Sequence, residues 1–155
     1  GNTVAAVLKD CDIPAHVESN TGYFSSYEIQ VILSMLRILD NPLQDIPMAA
    51  VLASPIVGMD DEELAQIRSA FKGVSFAQAA LSAMAGENGY EDEKLKAFAL
   101  VFERLRGAVA DTPIHELLYM MLDETGFYRY ASAMPAGKRR RQNIDMLIEM
   151  AAAYE

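Results

Sequence analysis

The feature that most constrains this sequence is a recurring alternation of helix-period apolar stripes with strong stop signals. Ile29, Ile32, Leu33, Leu36 and Leu39 recur at the three- and four-residue spacing that puts side chains on one face of an α-helix, and Asn41-Pro42 ends the run. The pattern returns over 91–110 with Leu95, Phe98, Phe102, Leu105 and Val109. It returns again after Thr112-Pro113 with Ile114, Leu117, Leu118, Met121 and Leu122, and over 138–154 with Ile144, Leu147, Ile148 and Ala151. Shorter helices are expected over 3–10, over 46–53, after Asp60, and from Ser75 to Met84. Stripes written this way are buried best against one another, so the expected fold class is mainly α.

Local signals refine this reading. Ser25 and Glu28 have the spacing of a capping box, in which hydroxyl and carboxylate satisfy orphan backbone donors reciprocally. Asp60 is placed to cap a helix whose first turn carries Asp61, Glu62 and Glu63, where the helix dipole favours negative charge. Ser75 with Gln78 offers a second capping box, and Gly126 interrupts the helix before the aromatic patch of Phe127, Tyr128 and Tyr130. One strand is expected, Ala15-His16-Val17-Glu18, between Ile13-Pro14 and the turn Ser19-Asn20-Thr21-Gly22.

Composition narrows the function classes. With 155 residues and 52% hydrophobic content, the chain suffices for one core, or one core with an appendage. No apolar stretch reaches the roughly 20 residues needed to cross a bilayer, and no basic-then-apolar leader opens the chain. No membrane association is expected. The lone Cys11 excludes an internal disulfide framework and, with the missing leader, makes the cytoplasm the expected compartment. The net charge of −9 makes the chain a poor general binder of phosphate, because such binding is driven by Lys and Arg releasing counterions. Any nucleic-acid contact must be local. One stretch qualifies: 129–141 holds Arg129, Lys138, Arg139, Arg140 and Arg141 with no acid between them.

Other chemistry is missing from the pattern. There is no G-x-x-x-x-G-K-[ST] loop to cradle a nucleotide, and His16 and His115 have no ligands at metal-binding spacing, so no cofactor is expected in this chain. The nine methionines are scattered along several helices, which suits core filling. The aromatic residues lack the interleaving with Lys and Arg of a single-strand platform. The residues alone describe a protein without an active site, and a free-standing helical adaptor that recruits another protein through an apolar groove remains open.

An ordered set of blocks goes beyond helix grammar. It runs Ile13-Pro14, Gly22-Tyr23-Phe24, Glu28-Ile29, Leu33 to Leu39, Asn41-Pro42 and Asp45-Ile46-Pro47, then Val51 through Met59 and Glu62-Glu63-Leu64. Arg141-x-Asn143-Ile144 and the final Tyr154-Glu155 follow. These blocks resemble the region after the fourth helicase motif in superfamily 1 DNA helicases of the UvrD/Rep type, and most closely the AddA-type ATP-dependent helicase/nuclease.

The resemblance implies a 2B-type accessory region inserted into the second RecA-like domain of a bacterial motor for double-strand break repair and recombination. Residues 1–21 would be a helix–strand remnant of that RecA-like domain, and 22–155 the helical accessory domain. ATP and Mg would be bound elsewhere in the parent protein. The implied partners are the RecA-like motor domains, duplex DNA and a partner nuclease subunit. Two places are candidate contacts for DNA or partner. In UvrD-like relatives the counterpart of 54–64 approaches duplex backbone; here Gly58 is kept, while Val57 stands at an Arg position and Asp60 at a Gly position. The turn can meet a phosphate, or simply cap a helix and pack Ile56 and Met59. The cluster Lys138, Arg139, Arg140 and Arg141, with Arg129, can touch phosphates or an acidic surface; alternatively Arg141 and Asn143 brace neighbouring loops. Basic residues at a helix start oppose the dipole at about 0.3–1 kcal/mol each, which favours a use for them.

Overall fold

The computed structural model describes residues 2–12 and 22–154, and among these the regular elements are all helical. In chain order they are α1 (Asn2–Asp12), α2 (Tyr27–Asp40), α3 (Asp45–Ala53), α4 (Asp61–Ala70), α5 (Phe76–Met84), α6 (Glu93–Ala108), α7 (Ile114–Thr125), α8 (Phe127–Ala133) and α9 (Gly137–Ala153). A short 3-10 turn, Glu87–Gly89, links α5 to α6. The expected strand at 15–18 lies outside the described residues.

The fold is organised around α2. Its sequence stripe predicts one buried face, yet Val31, Met35 and Ile38 are as buried as Ile29, Ile32, Leu33, Leu36 and Leu39. A helix apolar on nearly every side must be enclosed, and α2 packs against α1, α3, α6 and α9. Val4, Val7 and Leu8 carry α1 onto it through i, i+3, i+4 contacts. The predicted stop holds: Asn41 leaves helical geometry, and Gln44 Nε2 donates to the carbonyls of Arg37 (2.9 Å) and Asn41 (2.8 Å).

Later helices follow their stripes. Leu95, Phe98, Phe102 and Leu105 of α6 are buried, with Val109 half-buried just beyond; all five stripe residues of α7 and all four of α9 are buried. The small residues Ala77, Ala79, Ala80 and Ala83 let α5 pack closely on α3, α4 and α6. Asp45 Oδ1 accepts the backbone N–H of Ala77 at 2.9 Å, so a residue at the start of α3 satisfies the first turn of α5.

The caps divide. Asp60 and Glu63 form the full reciprocal box, and Ser75 accepts from Gln78 N. The Ser25–Glu28 box does not form. Ser26, not Ser25, precedes α2, its side chain makes no cap, and the Ser25 hydroxyl donates back to the Gly22 carbonyl at 3.2 Å. Glu28 is drawn instead into the protein, at 1% exposure. A burial-driven tertiary contact has overridden the local motif.

The last corner is tight. Ala136 sits in the left-handed region (φ 59°), and a Cβ at Gly137 would lie 2.0 Å from the Ser132 carbonyl oxygen. Gly137 is therefore required by the close approach of α9 to the end of α8. Gly137→Ala is expected to destabilise the protein by on the order of 3 kcal/mol, read by urea unfolding, because backbone must shift to admit the methyl. An unchanged midpoint would contradict this close approach.

Candidate functional site

The basic cluster falls at the start of α9, but its members have different surroundings. Arg140 turns inward. Its Nη1 donates to Glu28 Oε1 at 2.8 Å, and its Nε donates to the Pro135 carbonyl at 2.8 Å. Asn143, one turn on, donates through Nδ2 to the other carboxylate oxygen of Glu28 at 2.8 Å, and its backbone carbonyl accepts from the Tyr23 hydroxyl at 2.9 Å. Both oxygens of a buried carboxylate are thus satisfied, as burial of a charge demands. This joint gathers residues of the blocks Gly22-Tyr23-Phe24, Glu28-Ile29 and Arg141-x-Asn143 at one place, more than 100 positions apart in the chain.

The bracing role expected of Arg141 and Asn143 is split. Asn143 does brace, but the arginine that joins it is Arg140, three positions before and on the same helical face. Arg141 is half-buried. Lys138 and Arg139 stand exposed and, with Gln142 and Met146, line an open hollow of about 590 Å³. Arg129, on α8, is exposed as well. The structure therefore leaves Lys138 and Arg139 outward on a turn that Arg140 holds in place.

The second candidate, the turn 54–60, is closed upon itself. Ile56 N donates to Ser54 Oγ, Val57 N and Gly58 N to the Ser54 carbonyl, Met59 N to the Leu52 carbonyl and Asp60 N to Glu63 Oε1. Pro55 has no N–H, so each backbone donor from 55 to 60 already has a partner within the chain. The Gly58 carbonyl accepts from Lys94 Nζ at 2.9 Å, and the same ammonium bridges to Glu63 Oε1 at 2.9 Å. Gly58 takes φ 79°, the left-handed geometry a glycine adopts freely. This geometry supports a helix-capping turn, with Met59 buried and Ile56 half-buried beneath it.

The bonds here also set protonation. The Asp60 N–H, then Lys94, hold the Glu63 carboxyl below its ordinary 4.5, and the bond to Glu63 raises Lys94 above 10.5. A depressed acid pKa contributes stability above the unfolded value and loses it as pH falls through the folded one. Among the described residues, no group of His, Cys, Asp or Glu could hold a metal ion, and no helix is long and apolar enough to cross a membrane.

Comparison with known proteins gives this arrangement a setting. No family model matches the chain. It is 42% identical over 146 residues, 93% of its length, to the AddA-type ATP-dependent helicase/nuclease of Anoxybacillus flavithermus. It is homologous to one segment of that protein. The corresponding helicase/nuclease of Bacillus cytotoxicus is 40% identical over 152 residues, and that of Oceanobacillus iheyensis 36% identical over 156 residues. The chain spans only 12% of the length of the first two curated relatives and 13% of the third. The resemblance to AddA-type helicase/nucleases read from the ordered blocks thus holds along almost the whole sequence.

The joint was not legible beforehand because Glu28 already had a plausible local role. The available signal was a carboxylate at the head of a helix with no other charge until Arg37. Arg140→Ala is expected to lower stability by about 3 kcal/mol in denaturant unfolding, because it strands a buried carboxylate. Replacing the pair together, Glu28→Met with Arg140→Met, should recover most of that loss. A single variant as stable as the parent would contradict the role given to this pair.

Proposed function

We propose that this chain serves as a non-catalytic helical accessory module of a bacterial ATP-dependent DNA helicase/nuclease that works in double-strand break repair and recombination. The observation that carries this reading is the alignment with AddA-type helicase/nucleases over 93–99% of the chain. The absence of a nucleotide loop from the sequence fits it: ATP and Mg would be bound by other parts of the parent protein. In this reading residues 1–21 belong to the second RecA-like domain, and 22–155 form the 2B-type insert. The working compartment is the cytoplasm.

The module's task is to position duplex DNA, or the partner nuclease, beside the motor. Lys138 and Arg139 are the contact residues best supported, being exposed on a turn held by the Glu28–Arg140 pair, with Arg129 and Arg141 flanking. Gly58 is the weaker candidate, since the amides of its turn are already bonded.

Fluorescence anisotropy with a labelled duplex tests this. Weak binding is expected, falling steeply with salt, and Lys138→Glu with Arg139→Glu should abolish it while leaving the fold intact. Reversal of Arg140 is unsuitable because it would break the buried pair. Duplex binding that survives the double reversal, or ATP turnover by the purified chain, would overturn the proposal.

A further inference from the structure

Where α7 meets α8, Gly126 takes φ 69° and serves as the end of one helix and the start of the next. The corner leaves two adjoining hollows, of about 390 and 610 Å³, that share Asp123, Gly126 and Arg129. Tyr119, Tyr128 and Asp145 line the first, and Tyr130 and Glu124 the second. Tyr119 and Tyr130 are 58% and 52% exposed, a large aromatic area to leave in water.

The polar groups of the cleft are mainly acceptors. Asp123 and Asp145 are exposed, and neither forms an ion pair with a described residue. Glu124 uses Oε1 to accept from Arg104 Nε at 2.9 Å, while its Oε2 is buried with no hydrogen-bond partner. The Tyr128 hydroxyl donates to Asp145 Oδ1 at 3.2 Å. Aromatic faces beside carboxylates without an ion-pair partner, Asp123 and Asp145, favour a planar, delocalised cation, which stacks on a ring while its N–H groups fork to the acids.

We propose that this cleft receives an arginine side chain presented by a second polypeptide, its guanidinium lying between the tyrosine rings and the carboxylates of Asp123 and Asp145. The cleft is distinct from the outward Lys138–Arg139 turn, so the domain has an acidic-aromatic socket for protein as well as a basic turn. Arg129 stands between the two hollows as a like charge that weakens the fit. A phosphate occupant would reverse every one of these signs.

That reversal makes the test decisive. The whole chain is titrated by calorimetry with a short blocked peptide carrying arginine, with the same peptide carrying citrulline, and with a short thymidylate oligonucleotide. The arginine peptide should bind and the citrulline peptide should not. Asp123→Asn and Asp145→Asn should each weaken binding by about tenfold, the size of one charge-assisted hydrogen bond. Tyr119→Ala, an exposed position, should weaken it too, while Arg129→Ala should strengthen it. No binding of the arginine peptide, equal binding of the citrulline peptide, or affinity unchanged in both asparagine variants would overturn the proposal. The Asp123, Asp145 and Tyr119 variants alter no residue of the proposed duplex contact, so failure there is separable from failure of the duplex-binding reading.

Discussion

Glu28, a carboxylate with 1% exposure at the head of the most enclosed helix, imposes a condition on the rest of the fold. A buried charge without partners would cost several kcal/mol, so α2 can occupy its central position only if cationic and amide donors arrive from elsewhere. Those donors come from the first turns of α9, through Arg140 and Asn143, and the arginine in turn holds the Pro135 carbonyl. The tight corner at Ala136 and Gly137 is the backbone geometry that brings them there. One polar joint thus fixes the position of the last helix against the second.

This joint also shapes what the surface presents. Four consecutive basic residues at a helix start would repel one another and oppose the dipole. Arg140 relieves part of that strain by pairing inward, Arg141 is half-buried, and the exposed charge is concentrated on Lys138 and Arg139. The turn after α3 shows the contrasting arrangement, in which every available amide is bonded internally and Lys94 fastens the Gly58 carbonyl. A domain homologous to part of a helicase/nuclease thus turns Lys138 and Arg139 outward at one helix start, on a chain of net charge −9.

Much of the helical architecture was legible because each stripe and stop is a local property. The stripes of α6, α7 and α9 are read directly from three- and four-residue spacing, and Asp60 with Glu63 forms its box from neighbours alone. What was illegible depends on distant residues. Val31, Met35 and Ile38 make the outer face of α2 apolar, but nothing near them says which helices cover it, and nothing near Glu28 announces Arg140. Phe127 reads as part of an aromatic patch, yet it is fully buried and begins α8, a helix too short for periodicity to reveal. The basic cluster was visible as composition; which of its members faces outward is decided only by the fold.

Native-state amide hydrogen exchange tests the central claim directly, by comparing the first turns of α9, over 140–144, with the middle of α2. If the Glu28 joint fixes α9 as described, both segments exchange only through the same global opening, with matching free energies and matching response to denaturant. Fast exchange of 140–144 by local fraying, while α2 stays protected, would show that α9 is not held by the joint and would contradict the account.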